Sequence, residues 1–555
     1  MASTRPPLLK QHATLPPPQG PVVFVILDGV GVGARDEYDA VAAANIPTLE
    51  KLQATGLHRQ LRAHGVSVGL PSDGDMGNSE VGHNILGAGR IFDQGAKSVD
   101  KAVESGTMWE GTWREMVSHL DADGGRLHLL GLLSDGNVHS HMAHLFALLD
   151  QARREGIPSV YVHVLLDGRD VPDRTAEQYV AQLEERLAAI RDDTGYDYRI
   201  ASGGGRMVTT MDRYEADWRI VERGWQAHVL GSAEPFASAE AAITASRAAT
   251  PGISDQQLPP FTVCDADGTP IGTIEDNDAV VFFNFRGDRA VEICQAFTAG
   301  DNFSGFERKR VPDVFFAGMM LYDGDLNIPE NFLVTPEVVS NTISEYLAGT
   351  SLHQFACAET QKYGHVTYFW NGNRSAKFDP QTEEYLEIPS DQVSFDERPW
   401  MKSAETTDAL IAALKEDRYR FIRANYAGGD MVGHTGSFRA AVIALESIDL
   451  ALARLVPEVQ ARNGCLVITA DHGNADDMVE RAKDGAPLFD DGGMPRWRTS
   501  HSLNPVPLTI IDFSGREYAL RTDLPKAGLA NVAATIIELL GFAAPDEYEP
   551  SLLAL

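Results

Sequence analysis

Residues 22–31 read VVFVILDGVG, six consecutive apolar residues that run without a break into Asp28 and then into glycine. An apolar run of this length, closed by turn residues, reads as a strand buried on both faces, the kind found in a parallel sheet covered by helices. The same design recurs outward along the chain. Strands are expected at residues 22–27, 127–133, 160–166, 279–285, 421–426 and 466–470, and polar residues follow each one: Asp28; Ser134, Asp135 and His139; Asp167, Arg169 and Asp170; Arg286 and Arg289; Asp430; Asp471 and His472. Between the strands, residues 142–154, 175–190, 335–347 and 438–455 repeat apolar residues every three or four positions and read as helices. The fold class is therefore α/β. Ligands of parallel sheets sit beyond the carboxyl ends of the strands, so these polar residues are where chemistry is expected.

The chain of 555 residues is too long for one ordinary core and calls for two or three domains. With 43% hydrophobic and 23% charged residues it has the composition of a folded globular protein, which excludes global disorder. Its 47 Lys and Arg against 79 Asp and Glu give a net charge of −32, a field that repels phosphate backbones and anionic lipid surfaces. Nucleic acid and membrane partners are not expected, and an anionic substrate would need arginines concentrated locally. Four cysteines without CxxC spacing argue against a disulfide framework. Residues 1–20 are proline-rich, lack the apolar stretch of a signal peptide and read as a disordered tail. The longest apolar run is far short of the roughly 20 residues that span a membrane. A cytoplasmic protein is expected.

The most specific stretch is LVITADHGN at 466–474, where a buried strand delivers Asp471 and His472 into a glycine turn. A carboxylate beside an imidazole suits a divalent metal of intermediate hardness, although a lone pair of this kind is usually only a capped turn. It is not alone. YAGGDMVGHT at 426–435 places Asp430 at another strand end with His434 four positions later, on one face if a helical turn begins there, and His501 follows in TSHSLNPVP. Near the amino terminus, DMGNSEVGH at 75–83 puts Ser79 at the start of a helix, where a phosphoryl group would meet exposed N–H groups. Two sets of carboxylate and imidazole with one serine suffice for a two-metal site that activates the serine for in-line phosphoryl transfer.

The middle of the chain supplies anion binding. NFRGDR at 284–289 offers Arg286 and Arg289, LDGRD at 166–170 adds Arg169 and Asp170, GGGRMVTTMDR adds Arg206 and Arg213, and SDGNVHSH adds His139 and His141. Guanidinium groups bind carboxylates and phosphates bidentately. Lys362, in AETQKYGHVTYFWNG, stands just before what reads as an aromatic strand and is either a solvated charge or a catalytic cation. Metal-type residues thus lie at the two ends of the chain and arginines between them. One domain is therefore expected to be interrupted by another, with residues 21–93 and 336–555 forming the metal-binding domain and residues 94–335 the inserted one.

These stretches together resemble the cofactor-independent phosphoglycerate mutases of the alkaline phosphatase superfamily. The matching motifs are DGVG from 28, MGNSEVGH, LLSDGNVHSH, LDGRD, NFRGDR, AETQKYGHVTYF, GDMVGHTG, ADHGN and TSHSLNPVP, spread from about residue 22 to the carboxyl end. Val30 stands where the family commonly has tryptophan. The resemblance implies an alkaline-phosphatase-like domain with two metals and an inserted transferase domain that holds glycerate. It implies Ser79 as the transiently phosphorylated nucleophile, Asp28, Ser79, Asp471 and His472 on one metal, and Asp430, His434 and His501 on the other. Substrate contacts would be His139, Arg169, Asp170, Arg206, Arg213, Arg286, Arg289 and Lys362, with Asp170 a proton carrier for the glycerate hydroxyls. The implied reaction interconverts 2-phosphoglycerate and 3-phosphoglycerate, in glycolysis and gluconeogenesis, without added bisphosphoglycerate. The implied cofactors are two divalent metal ions, manganese by family, with cobalt or zinc also suited to the ligands. A monomer is expected.

Two other readings are weighed against this one. A phosphomonoesterase or a different phosphomutase of the superfamily would share the metal set but need a different substrate domain, which the arginines oppose. A non-enzymatic metal-binding relative would be expected to lack Ser79 or a ligand, and none is missing.

Overall fold

The computed structural model describes residues 7–70, 72–212, 217–300, 303–322, 327–335, 337, 339–482, 484–490 and 492–555. Two compact units divide the chain, Met1–Gln94 with Val338–Leu555 and Gly95–Glu337.

The first unit is built on a seven-stranded sheet in the order Glu383–Ile388, Gln354–Glu359, Phe421–Tyr426, Val22–Leu27, Cys465–Thr469, Val506–Asp512 and Leu57–Leu61. The first five strands are mutually parallel, and Val506–Asp512 runs antiparallel to Cys465–Thr469. Val22–Leu27 lies at its centre with all six residues buried, which explains its uninterrupted apolar sequence. Each such Val, Ile, Leu or Phe contributes roughly 1.5–3 kcal/mol of burial, so the central strands anchor everything attached to their ends. The long helix Phe438–Ala461 sends Ala444, Leu445, Ile448, Leu452 and Leu455 into the same core.

The second unit holds an eight-stranded sheet in the order Phe332–Val334, Phe315–Met320, Ala279–Phe282, Leu127–Leu133, Ser159–Leu166, Asp197–Gly205, Phe261–Val263 and Glu234–Phe236. The six strands from Phe332–Val334 to Asp197–Gly205 are parallel. Its own core includes Leu129, Leu132, Val162, Val164 and Phe282.

Four expectations are corrected. Residues 7–20 are not a free tail: Leu15 is buried in the first core, and backbone bonds join His12 and Lys10 to Gly541 and Ala543. The expected strand 279–285 stops at Phe282, because the Asn284 side chain takes over pairing by accepting from the Leu132 N–H at 2.8 Å. The expected helix 335–347 is only Ile343–Gly349, preceded by Asn341 in a left-handed conformation at φ 58°; residues 336 and 338 lie outside the described residues. The aromatic segment HVTYF is helical, since Thr360–Gly364 is an α-helix that continues as a π-turn over His365–Phe369. β-Propensity reflects packing context, and here the segment packs on helix Ser79–Ala88: a side chain at Gly87 would strike the Trp370 carbonyl at 2.0 Å.

Candidate metal and anion sites

In the first unit the strand ends converge. Asp28 follows Val22–Leu27, Asp471 and His472 follow Cys465–Thr469, and Asp430 lies in the short helix Gly428–Gly433 after Phe421–Tyr426. His434 closes that helical turn, donating its N–H to the Asp430 carbonyl, and comes onto the same face as Asp430. His501 arrives from the opposite chain direction, because antiparallel strand Val506–Asp512 begins at the edge where its parallel neighbours end. Ser79 is the first residue of helix Ser79–Ala88, and the capping role belongs to Asn78, whose Oδ1 accepts from the Val81 N–H at 3.1 Å. Ser79 is thus relieved of capping, and its hydroxyl is available to the site.

Two ligand sets result, Asp28 with Asp471 and His472, and Asp430 with His434 and His501, all buried. Ser79 Oγ lies 3.3 Å from Asp28 Oδ1 and 3.0 Å from His472 Nε2. Lys362 follows strand Gln354–Glu359 and is 1% exposed. Its Nζ donates to Asp28 Oδ1 at 2.8 Å, to Asp430 Oδ2 at 2.7 Å and to Ser79 Oγ, so one ammonium group bridges both sets and the serine.

The donor atoms fit cations. His434 Nδ1 faces the Thr499 carbonyl and His501 Nδ1 faces the Gly77 carbonyl at 2.8 Å. Carbonyls only accept, so each Nδ1 carries the proton and each Nε2 presents a lone pair. Those two Nε2 atoms lie 3.0 Å apart and 3.0 and 3.1 Å from Asp430 Oδ1, three acceptors that only a positive charge reconciles. Asn474 Oδ1 is buried and accepts no hydrogen bond among the described residues. Burial would lower His472, yet Asp471, Asp28 and Asp430 lift it to about 9, so the pocket favours positive charge.

Three residues of this pocket escaped sequence reasoning. His83 Nδ1 bonds the Ser79 carbonyl at 2.7 Å and lies 3.2 Å from Asp471 Oδ2, while Asn425 Nδ2 donates to Asp28 Oδ2 at 2.6 Å and lies 3.2 Å from His83 Nε2. Asn474 Nδ2 points to Asp430 Oδ1 at 3.4 Å. The spacing of Ser79 and His83, four residues apart on a helix, was a signal for His83, and an amide inside the buried run FIRANY was one for Asn425.

In the second unit four neighbouring parallel strands deliver the arginines and His139 at their carboxyl ends. Arg206 is 1% exposed, and its Nη1 donates to Asp167 Oδ1 at 2.7 Å and to Asp170 Oδ2, which keeps it firmly charged against the cost of burial. Arg286 Nε lies 3.0 Å from Asp288 Oδ1, which also lies 3.5 Å from His139 Nδ1. Arg289 Nη1 donates to the Met211 carbonyl at 2.6 Å. Arg169 and Asp170 are buried beside these, both backbone N–H groups donating to Asp167 Oδ1 at 3.1 Å. His139 reports the resulting field: burial, then Arg206, Arg286, Arg289 and Arg169, push its pKa well below the ordinary histidine value. The cluster is a buried concentration of positive charge in a strongly acidic chain.

His141 caps helix Met142–Glu155, its Nδ1 accepting from the Ala143 N–H. Arg213 lies outside the described residues. Lys362 belongs to the first unit, with the metal-type ligands, whereas the arginines belong to the second.

Residues 20–544 match the model of the Metalloenzyme superfamily. The chain is 54% identical, over 98% of its length and 99% of the relative's, to a 2,3-bisphosphoglycerate-independent phosphoglycerate mutase of Trypanosoma brucei brucei. It is 47% identical to one of Ricinus communis, covering 98% of both chains. A crystal structure of Leishmania mexicana phosphoglycerate mutase, obtained at low cobalt concentration, superposes with a TM-score of 0.97 at 51% identity, over 99% of this chain and 100% of that one.

Proposed function

The chain belongs to the Metalloenzyme superfamily and, within it, to the 2,3-bisphosphoglycerate-independent phosphoglycerate mutases, and from that membership we propose that it interconverts 2-phosphoglycerate and 3-phosphoglycerate by passing the phosphoryl group through Ser79. The observation that carries the role of Ser79 is its hydroxyl, at the first turn of a helix, within reach of Asp28, His472 and Lys362 together. Asp28, Ser79, Asp471 and His472 would hold one divalent cation and Asp430, His434 and His501 a second; these ions, manganese by family with cobalt or zinc also suited, would supply Lewis acidity that lowers the serine pKa and neutralises phosphoryl charge.

The chain's own residues do the rest. Lys362 donates to Ser79 Oγ, which favours the alkoxide over the alcohol and stabilises charge on that oxygen as the phosphoryl group arrives or leaves. The helix N-terminus behind Ser79 favours the phosphoserine formed there. Arg169, Arg206, Arg286 and Arg289 hold the carboxylate and phosphate of the substrate, and His139, kept neutral by them, adds a hydrogen bond. Asp170 exchanges the proton of the glycerate hydroxyls. The glycerate stays bound while its two hydroxyls exchange places, and no bisphosphoglycerate is needed. No helix among the described residues is long and apolar enough to cross a membrane. A cytoplasmic, monomeric enzyme of glycolysis and gluconeogenesis completes the reading.

The test is turnover of 3-phosphoglycerate by purified protein with manganese, cobalt or zinc and no bisphosphoglycerate, beside the Ser79→Ala variant. Wild-type activity that the variant loses, with phosphate recovered on Ser79 after acid trapping, is expected. Normal turnover by the variant, or phosphate on another side chain, overturns the assignment.

A further inference from the structure

Away from the arginines, a line of buried side chains crosses the sheet of the second unit. His128 on Leu127–Leu133, His163 on Ser159–Leu166 and Ser202 on Asp197–Gly205 occupy three adjacent strands, and His228 ends helix Trp218–His228. All four are at most 1% exposed. Asp278 Oδ2 meets His128 Nε2 at 2.9 Å, His128 Nδ1 meets His163 Nε2 at 2.9 Å, and His163 Nδ1 meets Ser202 Oγ at 2.7 Å. Ser202 Oγ then meets His228 Nδ1 at 2.7 Å, and His228 Nε2 meets Thr210 Oγ1 at 2.9 Å.

The direction of every bond in this line follows from one end. Asp278 also accepts from the Arg126 N–H, the Arg126 guanidinium and the Glu275 N–H, and is ionised, so it can only accept. His128 must therefore donate from Nε2. Burial holds all three imidazoles neutral, so each carries one proton and one lone pair. His128 Nδ1 then accepts from His163 Nε2, His163 Nδ1 accepts from the Ser202 hydroxyl, Ser202 accepts from His228 Nδ1, and His228 Nε2 accepts from the Thr210 hydroxyl. Each tautomer is set by the one before it, and the last donor in the series is Thr210.

Thr210 has two features that require such a hold. Its φ is 67°, a left-handed conformation that β-branched residues avoid. Helix Trp218–His228 also passes it so closely that a side chain at Gly224 would lie 2.0 Å from Thr210 Oγ1. The next residue, Met211, offers the carbonyl to which Arg289 Nη1 donates.

We propose that Thr210 is a positioning residue for Arg289, its strained backbone aiming the Met211 carbonyl and its hydroxyl held by the directed Asp278–His128–His163–Ser202–His228 chain. The proposal rests on the reading of Arg289 as a substrate contact. Thr210→Val keeps the shape and β-branching but removes the donor, whereas Thr210→Ser keeps the donor. The expected result is a KM for 3-phosphoglycerate raised roughly tenfold in Thr210→Val, the scale of one misaligned charge-assisted hydrogen bond, with kcat changed much less and KM restored in Thr210→Ser. Assays are run well below the melting temperature of each variant, so a merely structural role would lower Tm and leave KM alone. The double variant Thr210→Val with Arg289→Ala should be no worse in KM than Arg289→Ala by itself. If Arg289→Ala raises KM but Thr210→Val does not, or if the two effects multiply, Thr210 does not act through Arg289. An Arg289→Ala variant with unaltered KM instead removes the substrate reading of that arginine, and this proposal with it.

Discussion

At the scale of single residues, the metal-type pocket depends on close backbone approach as much as on its ligands. A Cβ at Gly82 would lie 2.7 Å from the Cβ and the carbonyl oxygen of Asp471. Helix Ser79–Ala88 can therefore present Ser79 only while position 82 is bare. Gly82→Ala forces the helix away from Asp471 at an overpacking cost of about 1–3 kcal/mol. Because the displaced groups support the ligands, metal affinity should fall by roughly 10- to 100-fold. Gly74→Ala, whose added methyl would meet nothing closer than Ser72 Oγ at 3.6 Å, should leave affinity unchanged. Titration of metal-depleted protein with manganese, followed calorimetrically, compares the two; equal affinities would mean that the helix position is not critical.

At the scale of elements, strand Gln354–Glu359 carries a pH dependence of its own. Burial raises the Glu359 carboxyl from 4.5 to about 7, although its Oε2 accepts from the Lys402 N–H at 3.2 Å. The folded state binds this proton more tightly than the unfolded chain does. The stabilisation is thus complete below pH 4.5 and is lost as pH rises through 7, a change of about 3 kcal/mol. Glu359→Gln keeps the acceptor and removes the titration. Denaturant unfolding from pH 4 to 8 should show wild type losing stability relative to the variant across that window, and parallel curves would remove Glu359 as the cause. The central strands were legible in the sequence because burial on both faces leaves continuous apolar runs. So were Asp28, Asp430, Asp471 and His472, because strand ends are where such a sheet places polar groups. The helical HVTYF segment was not, since its aromatic and β-branched composition serves packing on another helix, a contact no local window contains. Asn425 was hidden inside a strand for the same reason: its partner Asp28 is 397 residues away. The packed residues 7–20 were missed because their prolines speak only of local stiffness, while their anchors lie near residues 541–543.

At the scale of the whole molecule, the two units have separate sheets and separate cores, and the metal-type ligands all belong to one of them. A ligand that binds only the folded form stabilises what it binds, by about 2.7 kcal/mol at a hundred times its Kd. Metal bound at Asp28, Asp430, His434, Asp471, His472 and His501 should therefore stabilise the first unit and leave the intrinsic stability of the second largely unaltered. The pocket also gathers buried carboxylates around the Lys362 ammonium, so bound cations would add compensating charge there. Hydrogen exchange of the full chain, with manganese and then with excess chelator, reads each unit separately. Chelation should speed exchange in Val22–Leu27, Phe421–Tyr426 and Cys465–Thr469 while Leu127–Leu133, Ser159–Leu166 and Asp197–Gly205 keep their protection. Adding 3-phosphoglycerate to the chelated protein should still slow exchange around Arg206 and Arg289, because the arginine cluster is assembled without any metal ligand. Equal loss of protection in both units on chelation would show that they unfold as one, and no response to the substrate without metal would show that the arginines alone do not bind it.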